Sequence, residues 1–152
     1  MLAAHLLAFL LNLFYSFGPI SSNIQTATIH LSIENIQRVK GSVRIAIYEG
    51  ENDFLKDDQA VVTKVVLVEK LEPLTVKFPN LPFGSTYTIA IYHDENDNNK
   101  LDTNFMGVPK EPYGFSNNAP SKWGPPKYEE AVFTLNESDK YMVITVKKWS
   151  KQ

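Results

Sequence analysis

The fold is decided by the stretch Thr86-Tyr-Thr-Ile-Ala-Ile-Tyr92, which runs directly into His93-Asp-Glu-Asn-Asp-Asn-Asn-Lys-Leu-Asp102. Tyr87, Ile89 and Ile91 alternate with other residues, and a period of two is typical of a half-buried β-strand. The segment that follows, here called the acidic loop (residues 93–102), is rich in Asp and Asn. It follows the end of the strand and brings many oxygen-bearing side chains together there.

Six further segments are predicted as strands, most by the same alternation and Val61–Val68 by its β-branched content. They are Thr28–Ile36, Val43–Tyr48, Val61–Val68, Leu74–Phe78, Ala131–Leu135 and Tyr141–Val146. Only Glu51–Asp58 could hold a helical turn, with Phe54 and Leu55 as its apolar contacts. Seven short strands in a chain of 152 residues predict a single all-β domain. We expect a seven-stranded antiparallel β-sandwich with Greek-key or related connections.

The N-terminal segment differs from the rest of the chain. No Asp, Glu, Lys or Arg occurs from Met1 to Ile33, and Leu2–Tyr15 is dense in Leu, Ala and Phe. This length suits the apolar region of a signal peptide, although no basic residue precedes it. A buried first helix or strand is the alternative. We expect a signal peptide over residues 1–22, a β-sandwich domain over residues 24–150 and a secreted or periplasmic protein.

Composition narrows the classes of partner. A net charge of −2 provides no broad basic field, so a nucleic-acid partner is not expected. No stretch after residue 40 is long and apolar enough to span a bilayer, so we expect no membrane span in the mature chain. Cysteine is absent, which removes disulfides and thiolate metal sites.

The acidic loop predicts a cation site. The candidate ligands are Asp94, Asn96, Asn98, Lys100, Asp102 and Glu111. Oxygens at alternate residues of a curled loop suit calcium, which takes about six to eight oxygen ligands. Lys100 would donate a backbone carbonyl, Glu111 is the nearest source of a missing carboxylate, and Asn99 stands where such loops usually carry Gly. Calcium of modest affinity is expected; alternatively, Asp and Asn here only form turns.

His93 shares a strand face with Ile89 and Ile91 and should point towards the core. It could be a proton shuttle or a transition-metal ligand. It could instead be a neutral imidazole that forms a hydrogen bond with the loop backbone. The absence of Cys and of a second nearby His favours the backbone role.

A long connection without periodicity, here called the long loop (residues 93–130), joins the strand ending near Tyr92 to the one beginning near Ala131. Connections of this length are usually functional or disordered. Its aromatic residues are Tyr113, Phe115, Trp123 and Tyr128, and such content favours order. These rings could form a platform for sugar rings, or they could pack the loop against the sandwich.

Two segments resemble known families. Asn80–Tyr87 and the strand that follows it, up to Asp94, resemble the turn-and-strand signature of prealbumin-like sandwiches. The stretch HDENDNNKLDTNFMGVPKEPYGFSNN, followed by GPPKYEEAVF, resembles the bacterial exported family called domain of unknown function 2141. The resemblance covers about Thr28 to Val146, and it implies export, one β-sandwich domain and no established activity. Its motif residues include Gly107, Pro109, Gly114, Phe115 and Ser116, besides the candidate ligands.

These patterns predict a non-catalytic exported module in which a calcium-type ion orders the long loop. The loop would present a binding face over Glu111–Trp123 to a protein or glycan of the cell envelope. The candidate binding residues are His93, Tyr113, Phe115, Ser116 and Trp123. Two alternatives are a secreted hydrolase that uses Glu111, Asp94 or His93, with the paired carboxylates of a glycosidase as one form, and a purely structural envelope protein.

Overall fold

Most strands in a computed structural model coincide with strand segments expected from the sequence. The structure describes residues 25–56, 58–121 and 124–149; the expected signal peptide at residues 1–22 and the candidate binding residue Trp123 lie outside these ranges. The strands are β1 (Thr26–Glu34), β2 (Ser42–Glu49), β3 (Val62–Leu67), β4 (Leu74–Pro82), β5 (Thr86–Asp94), β6 (Tyr113–Phe115), β7 (Phe133–Thr134) and β8 (Asp139–Thr145). A short 3-10 turn (Ser116–Asn118) follows β6, and one turn of α-helix, α1 (Tyr128–Ala131), precedes β7.

The strands form two sheets. One has the order β4-β1-β8, and the other has the order β3-β2-β5-β6 with β7 also paired to β5. Every strand pair is antiparallel except β1 with β8, which is parallel. The protein is therefore all-β, as expected, but the pairing is not purely antiparallel.

The two sheets share one hydrophobic core. Alternate residues of β1 (Ile29, Leu31, Ile33) and of β5 (Tyr87, Ile89, Ile91) are buried in it, together with side chains from β2, β4 and β8. This is the face that the period of two predicted. Because a slip of one residue would turn these side chains outwards, the core also fixes the register of β5. The end of β5, and with it Asp94, is thereby held in place.

Three local features differ from the sequence expectation. The structure has an eighth strand, β6, inside the long loop, where three residues are too few to show a period. The predicted strand Ala131–Leu135 is divided into the end of α1 and the two-residue β7. In the described part of Glu51–Asp58 the chain forms turns, not helix, and Phe54 and Leu55 still make apolar contacts, with a small second cluster that contains Phe115.

Candidate acidic-loop site

Asp94 is the central residue of the acidic loop. Its side chain is fully buried and accepts hydrogen bonds from the amides of Asn98 (3.1 Å) and Asn99 (2.9 Å) and from Nε of Arg44 (2.7 Å). Burial works against the charged form, but the bonds from Arg44, Asn99 and Asn98 outweigh it and hold the pKa of Asp94 below its usual value. Asp94 is therefore a buried carboxylate whose charge is balanced inside the protein.

Arg44 supplies that balancing charge, and it was not among the candidate residues. It lies on β2 opposite Tyr92 of β5, on the face turned away from the buried Ile45. Its guanidinium also donates a hydrogen bond to the side chain of Asn99. The guanidinium of Arg44 thus ties Asp94 and Asn99 of the acidic loop to the neighbouring strand.

Glu111 joins the two ends of the acidic loop. Its side chain is buried, with Oε1 accepting from the amide of Glu95 at 2.8 Å and Oε2 accepting from the amide of Asp102 at 3.0 Å. A carboxylate that accepts two backbone amides is a strong local clamp, because charged acceptors form the stronger hydrogen bonds. The predicted ligand Glu111 thus lies against the loop, with each oxygen on a backbone amide.

The remaining candidate ligands converge on the outer side of the loop. Asp102 accepts from Nδ2 of Asn96 (2.8 Å) and Nδ2 of Asn98 (3.0 Å). Oδ1 of Asp94 and Oδ1 of Asn96 both accept the amide of Asn98, at 3.1 and 3.2 Å, so these two oxygens lie close together. The amide of Lys100 donates to Oδ1 of Asn98 (2.9 Å). Two carboxylates and two carboxamides are therefore linked by hydrogen bonds in this part of the loop.

The donor set is poor in charged ligands. Within residues 25–56, 58–121 and 124–149, no three His, Cys, Asp or Glu side chains are grouped as a metal site. The acidic loop instead combines Asp94 and Asp102 with carboxamide oxygens. Neutral oxygens are acceptable to calcium, but a low ligand charge weakens its binding.

The backbone of the acidic loop curls sharply. Asp97 and Asn99 have φ of 53° and 67°, in the left-handed region that Asn and Asp tolerate better than other non-glycine residues. Asn99 therefore fills the place at which such loops usually carry Gly. The loop also lies close to Gly41, where a Cβ would be 2.0 Å from the carbonyl oxygen of Asp94.

Glu95, in the acidic loop, forms ion pairs with three basic side chains. Arg38, Lys40 and Lys148 each place a nitrogen 3.3 Å from its carboxylate. Burial alone would raise the pKa of Glu95, but Lys148 and Lys40 lower it below its usual value. The loop is thus linked to the β1–β2 connection and to the segment after β8.

The ring of His93 forms its hydrogen bond with backbone, although not with the backbone of the loop that was expected. It is fully buried, and its Nε2 lies 2.7 Å from the carbonyl oxygen of Lys40, so this nitrogen donates. Its partner is the connection between β1 and β2, not the acidic loop itself. A ring enclosed in the core is badly placed for a proton shuttle to a substrate.

The far part of the long loop packs against the larger sheet. Phe115 is buried with Ala119 and Ala131. The half-buried ring of Tyr113 packs edge-on against the ring of Phe115, with 5.9 Å between the ring centroids. Ser116 is fully buried; its hydroxyl donates to the carbonyl of Ala131 (2.6 Å) and accepts from the amide of Ile89 (2.9 Å). Of these candidate binding residues, Phe115 and Ser116 serve to fix the loop, and Tyr113 keeps an exposed part.

A family model described as "Uncharacterized protein conserved in bacteria (DUF2141)" matches residues 31–143. The chain belongs to DUF2141. The match runs from within β1 to within β8 and includes the whole long loop. Comparison with curated proteins and with solved structures gives no match. In the described part of this DUF2141 chain, no helix is long and apolar enough to cross a membrane.

Sequence reasoning missed two asparagines that fasten the long loop of this DUF2141 protein. Nδ2 of Asn117 donates to the carbonyl of Val132 (2.9 Å), while Asn118 donates to Val143 (3.2 Å) and accepts from the amide of Thr145 (2.8 Å). Both have positive φ, 58° and 51°. An Asn-Asn pair in a loop is the available signal, because Asn accepts this backbone region readily.

Proposed function

We propose that this DUF2141 chain is a non-catalytic exported binding module. The acidic loop takes up a calcium-type cation and holds the long loop in one shape, and the long loop offers a face over Glu111–Trp123 to a protein or glycan of the cell envelope. The observation that carries the proposal is the clamp by Glu111, which joins Glu95 and Asp102 across the whole acidic loop. A carboxylate whose two oxygens both accept backbone amides stabilises the shape of the loop and is not free to act on a substrate.

The cation would bind on the outer side of the loop. Asp102 accepts hydrogen bonds from the carboxamides of Asn96 and Asn98. A half-turn of each carboxamide would present its oxygen there instead, and the amides of Asn98 and Lys100, which now donate to these oxygens, would give up those bonds. The carbonyl of Lys100 and one lone pair of Asp94 would complete the set, with Glu111 behind them. Because Arg44 already balances the charge of Asp94, we expect affinity in the range of about 10⁻⁴–10⁻³ M, as in extracellular modules.

The contacts of the acidic residues favour binding over hydrolysis. A general acid or base must reach the reacting atom of a substrate. Asp94 and Glu111 are both buried and accept hydrogen bonds from the protein on both oxygens. The Nε2 of His93 is bonded to a carbonyl. The hydrolase alternative would require these groups to leave their partners, and the structural envelope protein remains the third possibility.

Export and the finer fold assignment belong to the same proposal. The uncharged apolar run Leu2–Tyr15 supports a signal peptide. Two sheets around one core support a prealbumin-like sandwich of Greek-key type. A location outside the cytoplasm would also expose the acidic loop to the higher calcium concentrations that a weak site needs.

Thermal unfolding with and without calcium tests the proposal. Calcium at about ten times its Kd should raise Tm by about 4 °C, because binding to the folded state alone stabilises it. Asp102→Asn should remove this rise, since it takes away an outer carboxylate. Asp139→Asn is the matched control, because it removes a carboxylate of β8 that is hydrogen-bonded to His30 and lies outside the acidic loop. This variant should keep the rise in Tm. An unchanged Tm of the unaltered protein in excess calcium would overturn the cation assignment.

A further inference from the structure

The free edge of β4 in the smaller sheet is blocked by local devices. Unpaired backbone groups at a sheet edge attract a further strand, and proteins prevent this with proline, lysine, bulges or short strands. In β4, Pro79 has no amide to donate, and the register with β1 is interrupted by a bulge or irregularity. The carbonyl of Lys77 in the same strand accepts a hydrogen bond from Nζ of Lys64 (3.5 Å). Another chain therefore finds little to pair with here.

The edges formed by β6, β7 and β8 are short or covered. β6 has three residues and β7 has two. On β8, the side chain of Asn118 donates to the carbonyl of Val143 (3.2 Å) and accepts from the amide of Thr145 (2.8 Å). A further strand could pair with only part of these edges.

The free side of β3, here called the β3 edge (Val62–Leu67), has none of these devices. In the described part of the chain, β3 pairs with β2 and with no other strand. It contains neither Pro nor Gly, and Lys64 is its one charged residue. Val65 and Leu67 are 53% and 65% exposed. A β-branched edge strand with so little charge favours pairing with another strand.

The exposed residues of β3 also carry its outward backbone groups. The amide of Val68 donates to the carbonyl of Gly41, on the side of β2 (3.1 Å). In an antiparallel pair, the residues that exchange hydrogen bonds with the neighbouring strand alternate along the chain. Thr63, Val65 and Leu67 therefore direct their N–H and C=O groups towards the free edge. A strand added there would gain backbone hydrogen bonds and cover exposed apolar side chains.

We propose that the β3 edge is a dimer interface, at which the β3 of a second copy of this chain pairs antiparallel with the first. The two larger sheets then form one continuous sheet across a two-fold axis perpendicular to it. Such a contact uses the same surface on both copies and closes at two. The chain carries a net charge of only −2, so two copies repel each other little.

The charge of Lys64 selects the register of this dimer. Two-fold symmetry places one residue of β3 opposite its own copy, and only centres at Lys64 or Val65 pair most of the strand. A centre at Lys64 would set two ammonium groups against each other, which is unfavourable. A centre at Val65 pairs Thr63 with Leu67 of the second copy and forms about six backbone hydrogen bonds between the copies. Lys64 leaves the edge clear, because its Nζ lies over the Phe78 ring of its own copy, 5.6 Å from the centroid. The edge is thus complementary to itself, which favours a second copy over a strand of another protein.

Disulfide formation tests the register. The chain has no cysteine, so Val65→Cys and Thr63→Cys each introduce a single thiol. In the register centred on Val65, the two Cα atoms at position 65 would be about 5.5 Å apart, which a disulfide spans, and those at position 63 about 14 Å apart, which it does not. Mild oxidation should therefore cross-link Val65→Cys and leave Thr63→Cys as single chains. Any other pattern of cross-linking would overturn the register.

Sedimentation equilibrium of the full chain, over a wide range of protein concentration, tests the dimer itself. Val65→Lys would place two lysines opposite each other at the two-fold axis, while the hydrogen bonds between β3 and β2 stay in place. Val143→Lys is the matched control, because Val143 is a valine of similar exposure (47%) on β8 in the other sheet. Circular dichroism checks that each variant is folded.

We expect a reversible equilibrium between one and two chains. Val65→Lys should weaken dimerisation by at least about tenfold, through like charge and the lost contact of two valines, and Val143→Lys should leave it unchanged. The mass of a single chain at every concentration would overturn the proposal. Dimerisation that Val65→Lys leaves intact, or that both variants weaken equally, would assign the contact to another surface. A mass that continues to rise beyond two chains would also contradict a contact that closes at two.

Discussion

Nε of Arg44 lies 2.7 Å from Oδ2 of Asp94, and this pair joins the second strand to the start of the long loop. Asp94 is fully buried, whereas Arg44 keeps about a quarter of its side chain exposed, 23%. The pair is asymmetric: the carboxylate depends on the protein for its solvation, and the guanidinium partly on water. Loss of Arg44 would leave a buried carboxylate without its counter-charge.

Asp94→Asn should lower the free energy of unfolding by about 2–3 kcal/mol, because it replaces charged hydrogen bonds and leaves Arg44 without its partner. Arg44→Gln would lower the free energy of unfolding less than Asp94→Asn only if water could reach the freed carboxylate of Asp94. Because that carboxylate is buried, we expect a loss of similar size. Urea unfolding measures both. The double variant should lose much less than the sum of the single losses; additive losses would show that the pair does not act as a unit.

Acidification should weaken the fold through the same residue. The pKa of Asp94 is lowered in the folded protein, so its contribution is complete above its unfolded pKa of about 3.9 and is lost as pH falls through the lower folded value. The unfolding free energy should thus decline below about pH 4. Asp94→Asn should flatten this decline more than Asp139→Asn, because Asp139 is exposed and its pKa is lowered chiefly by its hydrogen bond with His30. Equal slopes for the two variants would contradict the assignment.

Glu111→Gln should loosen the acidic loop while leaving the sheets intact. A neutral carboxamide keeps one good acceptor for the two amides of Glu95 and Asp102, so the cost is about 1–3 kcal/mol. Hydrogen exchange followed by NMR should show faster exchange of these two amides and no change in the core of β5. Unchanged protection at both amides would argue against the clamp.

Gly41→Ala should be far more damaging than Gly50→Ala. Both glycines have positive φ, 62° and 74°, but only at Gly41 would a Cβ strike backbone, at 2.0 Å from the carbonyl oxygen of Asp94. The positive φ costs about 1–2 kcal/mol at either position, and the clash adds to it at Gly41. Thermal melts of the two variants give the comparison; equal losses would show that the β1–β2 connection can move away from the acidic loop.

Strands such as β1 and β5 could be predicted from the sequence because one face of each lies in the core. In β1, Ile29, Leu31 and Ile33 alternate with polar residues, and in β5 Tyr87, Ile89 and Ile91 recur at every second position. The strand Tyr113–Phe115 could not be found, since three residues show no period and its formation depends on β5 lying beside it. The requirement for glycine at position 114 also appears only in the folded protein, because a Cβ there would lie 2.8 Å from Cγ2 of Ile144.

The sequence could suggest which residues form the candidate site, but it could not show which contacts they make. Spacing pointed to Asp94 and Asp102, because side chains on a curled loop converge locally, and Glu111 was chosen as the nearest further carboxylate. It could not find Arg44, whose role depends on the pairing of β2 with β5. It also assigned Glu111 to a cation, whereas in the fold the carboxylate meets two backbone amides, which a linear sequence does not reveal.

Hydrogen–deuterium exchange of the long loop, measured with and without calcium, tests the central claim most directly. If a cation holds this loop in one shape, excess calcium should slow exchange over residues 95–121 by several-fold, leave β1 and β2 unchanged, and have no effect in Asp102→Asn. Exchange over the loop that is equally slow with and without calcium would contradict the claim. The fixation would then be the work of Arg44, Glu111 and the two asparagines alone.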